Sequence, residues 1–281
     1  MIDLNNVRKC YGKTAAIDGI TLGLRDNKIY CLLGRNGAGK TTLMKLIAGK
    51  ISATSGEISV GGCTVSTINM PENVRYIEAA RPQFNMSVIG LFSLAAGVDS
   101  HFDMNFALRM AEKFNLNKKK KYNALSFGMK TMVTTIISLA SNDDIILLDE
   151  PVLGFDAVMR SEFYSLLSES FAAHPRIIVI STHLIDEIAQ TAEQIIAIDN
   201  GKLIFNEDIN TVTERSYKIT GLADEVKLAT RNLNVLDTEN IGKYSVAYVY
   251  DKRIDCTDSL EISDLHLQEL FVKMTGGKQN D

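Results

Sequence analysis

The stretch from Ile29 to Gly49 constrains this chain more than any other. Gly34 to Thr41 read Gly-Arg-Asn-Gly-Ala-Gly-Lys-Thr, which satisfies G-x-x-x-x-G-K-[ST], the P-loop pattern, at every position. Ile29 to Leu33 are apolar, as a buried parallel strand requires. Leu43, Leu46 and Ile47 share one face at helical spacing, and Gly49 is placed to end the helix. Strand, Gly-rich loop and helix in this order predict an α/β core that binds phosphate. Gly34, Gly37 and Gly39 lack Cβ atoms, so the backbone can curl round an anion. The N–H groups of the loop, through Asn36 and Ala38, then converge on the β-phosphate. The helix adds the positive end of its dipole. Lys40 is expected to reach the β- and γ-phosphates, Thr41 to ligate Mg²⁺ and Thr42 to touch the α-phosphate.

Two later strand ends extend the pattern. Ile145 to Leu148 are apolar and are followed by Asp149-Glu150. In a parallel sheet the carboxyl ends of the strands face the ligand. Asp149 is therefore expected to hold Mg²⁺ through water, and Glu150 to orient or deprotonate an attacking water. Ile177 to Ile180 form a second buried strand that runs into Ser181-Thr182-His183, so His183 is expected at the γ-phosphate. His101, His174 and His266 have no such placement. Tyr11 precedes a turn upstream of the loop. From spacing alone, stacking on a base and packing at a strand end both remain open.

Composition narrows the partners. The net charge of −4 argues against broad nucleic-acid binding. The four cysteines, Cys10, Cys31, Cys63 and Cys256, show no metal-ligand spacing, so reduced thiols in the cytosol are expected. The most apolar stretch, Val88 to Val98, is far short of the ~20 residues that span a bilayer, and the N-terminus lacks a signal pattern. A membrane role would need another chain to supply the spanning part.

Along the chain, Asn6–Lys13 reads as a break between two strands. A helix-rich stretch leads to Lys118–Lys121, a four-lysine run read as a solvated loop. Ser126 is placed to cap a helix. A helix over 184–194 and a hairpin turning at Asn200-Gly201 follow. After residue 206 the pattern becomes more polar. Helices are expected over Ala223–Leu233 and Ser263–Met274. Tyr244, Val246, Tyr248 and Tyr250 alternate on one strand face, which is expected to support subunit pairing.

In this order the motifs resemble the ATP-binding subunits of ABC transporters. The likeness runs from Tyr11 to His183, and Glu269 to Gly276 resembles the chain ends of many such subunits. Leu125-Ser126-Phe127-Gly128-Met129-Lys130 occupies the signature position and Leu153–Asp156 the D-loop. The resemblance implies a P-loop ATPase core over 1–205, with a helical subdomain at about 71–142. A small α+β appendage covers 206–281. It implies that ATP and Mg²⁺ are bound, that Tyr11 stacks on adenine, and that Ser126 and Gly128 face the γ-phosphate held by a second ATPase chain. The partners implied are a membrane permease and a like or sister ATPase subunit, placing the chain on the inner face of the cell membrane. Two departures stand out. The usual Leu-Ser-Gly-Gly-Gln is Leu-Ser-Phe-Gly-Met. Glu78 stands near the Q-loop glutamine position, where it would approach the metal, with Gln83 as the alternative. Such variants resemble bacterial exporters of peptides, bacteriocins or drugs, including phenol-soluble-modulin-type exporters. Translation factors of this superfamily carry two ATPase domains, and chromosome-maintenance ATPases insert long coiled coils. One P-loop and the short stretch between Thr41 and Leu125 fit neither, and the intact Lys40, Asp149, Glu150 and His183 disfavour a non-catalytic regulatory subunit.

Overall fold

The computed structural model describes residues 1–78, 83–254 and 259–276. It begins with an antiparallel pair, β1 (Ile2–Tyr11) and β2 (Thr14–Leu24). The turn is Gly12-Lys13 alone, not the expected break over Asn6–Lys13. Asn6 takes a φ of 47°, which Asn tolerates, and the pair absorbs it as a bulge without ending. Next come β3 (Ile29–Leu33), α1 (Lys40–Ile47), β4 (Ser55–Val60) and β5 (Cys63–Thr64). β4 and β5 extend the first pair into a four-stranded sheet of order β2-β1-β4-β5.

The second sheet carries the site. After β6 (Val74–Ile77) the chain makes α2 (Val88–Val98), α3 (Met104–Lys113) and α4 (Phe127–Ala140). It returns through β7 (Ile145–Asp149), α5 (Ala157–Ala173), β8 (Ile177–Ser181), α6 (Ile185–Ile188), β9 (Gln194–Asp199) and β10 (Lys202–Asp208). The order is β10-β9-β3-β8-β7-β6. β3 pairs in parallel with β8 and β9, and β7 with β6 and β8. All residues of β3, β7 and β8 are buried, as their unbroken apolar runs predict for strands covered on both faces. The register sets Leu32 beside Ser181 and Ser181 beside Asp149, so three strand ends and the loop after β3 share one edge.

α1 has eight residues, too few to hold a helix alone in water. Leu43, Met44, Leu46 and Ile47 bury its inner face against Ile17, Tyr30, Leu32 and Leu147. Each such burial stabilises by about 1.5–3 kcal/mol, so packing rather than propensity forms the helix under the loop. In the helical stretch, Phe106, Met110 and Phe114 are buried on one stripe, as their spacing predicts. The helix expected over 184–194 shrinks to α6. Leu184 offers no side-chain cap, and Gln194 already belongs to β9. Asn200 and Gly201 both take positive φ (46° and 74°), as a type I′ turn demands.

The chain divides into two compact units, residues 1–183 with 194–206, and residues 184–193 with 207–281. The second contains α7 (Ile209–Arg215), β11 (Ser216–Leu222), α8 (Ala223–Ala229), β12 (Val235–Ile241), β13 (Tyr244–Tyr250), β14 (Glu261–Asp264) and α9 (Leu267–Gly276). Its antiparallel sheet has the order β12-β13-β11-β14 over Tyr217, Ile219, Val226, Ala247 and Val249. Three expectations change here. α8 stops at Ala229. Ser263 and Asp264 pair with Lys218 and Tyr217 in the sheet, so the last helix starts at Leu267, after them. The tyrosine face is largely occupied within the unit. The Lys273 ammonium lies 4.0 Å from the Tyr248 ring centroid, and Tyr250 donates to Glu207 (2.8 Å) beneath the Arg215 guanidinium. Only Tyr244 of the three tyrosines stays exposed. Among the described residues no helix is long and apolar enough to cross a membrane. Cys10, Cys31 and Cys63 are free thiols, and Cys256 lies outside the described residues.

Candidate active site

The loop after β3 encloses a cavity of about 260 Å³ lined by Ala16, residues 35–42, Asp149 and Glu150. Gly39 precedes α1 with a φ of 108°, and no side chain caps the helix, so its first N–H groups face the cavity uncapped. A Cβ at Gly39 would lie 2.5 Å from the Ala16 carbonyl oxygen and 2.8 Å from Ile17 Cδ1. Glycine is thus required both by the backbone angle and by the close passage of β2. Lys40 is 8% exposed, and its Nζ donates to the carbonyls of Gly34 (2.7 Å) and Arg35 (3.5 Å). The ammonium is therefore folded back over its own loop, at the mouth of an anion-sized space.

At the wall of that space, Asp149 is 4% exposed and accepts three hydroxyls. Thr41 Oγ1 donates to Oδ2 (2.7 Å), Tyr76 Oη to Oδ2 (3.4 Å) and Ser181 Oγ to Oδ1 (2.5 Å). Burial, then the charges of Asp149 and Glu78, push the Tyr76 phenol well above its ordinary range, so it stays a donor. Cys31, under the loop, is likewise pushed up, by burial first and by Glu150 next, and is inert as a nucleophile. The Thr41 hydroxyl and Asp149 carboxylate form an all-oxygen donor set 2.7 Å apart. Such hard donors suit Mg²⁺, which takes one or two protein oxygens and fills the rest from water and phosphate.

Glu150 follows with a φ of 49°, rare for a residue with a side chain and typical of strained functional positions. Its N–H is held by both the Ser181 hydroxyl and carbonyl at 3.1 Å. This turns its carboxylate towards His183, whose Nδ1 lies 2.9 Å from Oε2. The carboxylate and imidazole can together hold a water and pass a proton.

The remaining residues fall elsewhere. Ser126 caps α4, its Oγ accepting from Met129 N at 3.3 Å, and Gly128 packs where a Cβ would meet the Gly154 carbonyl at 2.9 Å. Neither lines the cavity. The Phe127 ring lies over Gly154, which has a φ of 83°, and is half exposed. Tyr11 is exposed at the turn of the β1–β2 pair, whose Ala16 lines the cavity, and Lys9 Nζ sits 5.3 Å from its ring centroid. Glu78 is engaged by Lys45 Nζ at 2.5 Å, and Gln83 is exposed. Ser181, Tyr76 and Lys45 were not singled out in the sequence. The signals were present: Ser181 opens the Ser-Thr-His run, Tyr76 stands two positions before Glu78, and Lys45 lies one helical turn after Thr41.

Known proteins are similar to this chain in sequence and in fold. The ABC transporter family profile matches residues 17–153. The chain is 30% identical to "Lantibiotic transport ATP-binding protein SrtF" of Streptococcus pyogenes, over 74% of this chain and 91% of that one. It is 28% identical to "ABC transporter ATP-binding protein YtrB" of Bacillus subtilis, over 99% of each. In fold it is similar to a dimeric ATP-binding cassette bound to ADP and Pi, with a TM-score of 0.64 and 22% identity, covering 74% of this chain and 99% of that one. A P-loop above a buried aspartate, a glutamate–histidine pair beside it and these relatives lead to one assignment: the chain belongs to the ABC transporter family, as an ATP-binding subunit and ATPase.

Proposed function

We propose that this chain drives a separate membrane permease that exports a peptide, toxin or drug, and that it works from the inner face of the cell membrane. The observation that carries the catalytic part is the shared edge of β3, β7 and β8. There Asp149 meets Thr41 at 2.7 Å and Glu150 meets His183 at 2.9 Å. In this reading the N–H groups from Gly34 to Gly39 and the start of α1 hold the phosphates. Lys40 turns from the Gly34 carbonyl to the β- and γ-phosphates, and Thr42 touches the α-phosphate. Thr41 and Asp149 would hold Mg²⁺, with Glu78 nearby if its bond to Lys45 opens. Bound there, the ion neutralises charge on the phosphates. Glu150 orients the attacking water and takes its proton, and His183 holds Glu150 and the γ-phosphate edge.

Ser126 and Gly128 complete the reading. They lie at the start of α4, outside the cavity that holds Lys40, so one chain offers two half-sites. ATP would join the loop of one copy to the α4 end of a second copy or of a sister subunit, and hydrolysis would part them. The export cargo is supported by the name of the relative SrtF, a lantibiotic transport protein. The test is ATPase rate per chain against protein concentration, with and without vesicles carrying the cognate permease. The rate should climb steeply with concentration and on adding the vesicles. Ser126→Arg should stop hydrolysis while the isolated chain still binds ATP. Turnover per chain that stays constant down to pure monomer would refute the two-chain site.

A further inference from the structure

β6 ends the six-stranded sheet, yet Tyr76 in it and Glu78 just after it reach across to Asp149 and to α1. Tyr76 lies opposite Leu147 in the β6–β7 register. Asp149 is two residues further along β7, on the same face as Leu147. Two residues of strand span roughly 6.6 Å, about the length of a tyrosine side chain, so the phenol can lean along β7 to the carboxylate. Its hydroxyl meets Oδ2 at 3.4 Å, the oxygen to which Thr41 also donates, while Ser181 holds Oδ1. Glu78, two positions after Tyr76, pairs with Lys45 at 2.5 Å. Thr41 and Lys45 are four residues apart on α1 and so share one helix face. The end of β6 is thus pinned to that face at two points, by Tyr76 through Asp149 and by Glu78 through Lys45.

We propose that Tyr76 is a positioning residue for ATP hydrolysis, its hydroxyl holding Asp149 Oδ2 and so fixing the orientation in which the carboxylate meets the Mg²⁺ site. Thr41 and Tyr76 take the two lone-pair directions of Oδ2, and Ser181 takes one of Oδ1. With Thr41 and Ser181 alone the carboxylate can rock about the line between them, and the Tyr76 hydroxyl supplies a third point. β6 supplies that point from a strand paired with β7 along its whole length, with the Lys45–Glu78 pair just beyond its end. The inference rests on the reading of Asp149 as a metal-holding residue.

The test compares Tyr76→Phe with Asp149→Asn in the full chain. Mn²⁺ binding to the ADP-loaded protein is followed by the electron paramagnetic resonance of free Mn²⁺. ADP affinity is measured separately in EDTA, and hydrolysis is titrated with Mg²⁺. Tyr76→Phe keeps the ring and its packing. It should weaken Mn²⁺ binding about tenfold, the lower end of what losing an outer partner of a metal ligand costs. It should raise the half-saturating Mg²⁺ by a like factor, with metal-free ADP affinity unchanged. Unchanged Mn²⁺ affinity, or an equal loss of metal-free ADP affinity, would overturn the role of Tyr76. If Asp149→Asn weakens Mn²⁺ binding and Tyr76→Phe does not, the positioning role alone fails. If neither does, the reading of Asp149 fails and Tyr76 falls with it.

Discussion

In the function proposed above two helix starts meet phosphate, and they are finished differently. α1 begins at Gly39 with no side-chain cap, and its first N–H groups open into a cavity with Lys40 folded over it. α4 begins at Ser126, whose hydroxyl already accepts from Met129 N. The first end is stabilised by what surrounds it. Ala16 presses on Gly39, and the four buried apolar residues of α1 hold the helix down. It can therefore leave its N–H groups for a ligand. The second stands exposed, with a half-exposed Phe127 beside it, and keeps a cap that is worth about 1 kcal/mol to a helix. Ser126 can still donate its own proton while accepting from Met129, so a cap and a phosphate contact are compatible. On that reading, an anion site that stands ready in one chain differs from one that would gain its ligand only when a second chain brings it.

Four substitutions would break or sharpen this contrast. Glu150→Gln should lower phosphate release by about 10²–10⁴, the usual effect of losing a general base, with ATP affinity unchanged in titration. Normal turnover would remove Glu150 from the chemistry and leave α1 as a binding site only. Lys40→Ala should weaken ATP binding by roughly 10–100-fold, since a charged hydrogen bond contributes about 1.5–3 kcal/mol. Calorimetric titration showing no loss would mean that the uncapped α1 end is not where phosphate sits. Ser126→Ala should leave ATP binding by the isolated chain intact yet slow hydrolysis at high protein concentration about tenfold, the value of one such bond. A loss of binding in the monomer would erase the contrast between the two ends. Tyr11→Ala should cost about fivefold in ATP affinity, as expected of one aromatic contact. The same loss measured for inorganic triphosphate would show that Tyr11 does not reach the base.

Much of the first site was legible because its chemistry needs particular residues in close sequence order. Gly39 must be glycine, and Lys40 and Thr41 must follow it. Asp149 must end an apolar strand because the sheet presents its ligands there. The second unit is less legible. β12 and β14 hold no fully buried residue, so their pattern is weak and the sequence does not mark them as strands. The Tyr244–Tyr250 alternation was visible, but what covers it was not. Lys273 and Arg215 come from distant positions and take the faces of Tyr248 and Tyr250. The long helix expected after His183 failed because hydrophobic spacing alone does not say where the next strand begins.

The sequence by itself determined the loop, the strand and helix that flank it, the two acids at the end of β7 and the histidine after β8. It did so because each is a local demand of backbone geometry or of buried strands. Only the tertiary structure decided which side chains hold those groups in place. Ser181 and Tyr76 reach Asp149 through strand register, and Lys45 reaches Glu78 across a helix–strand contact. Contacts of that kind depend on which strands become neighbours, a choice made by burying the apolar faces of the whole sheet at once, and no local stretch of residues encodes it.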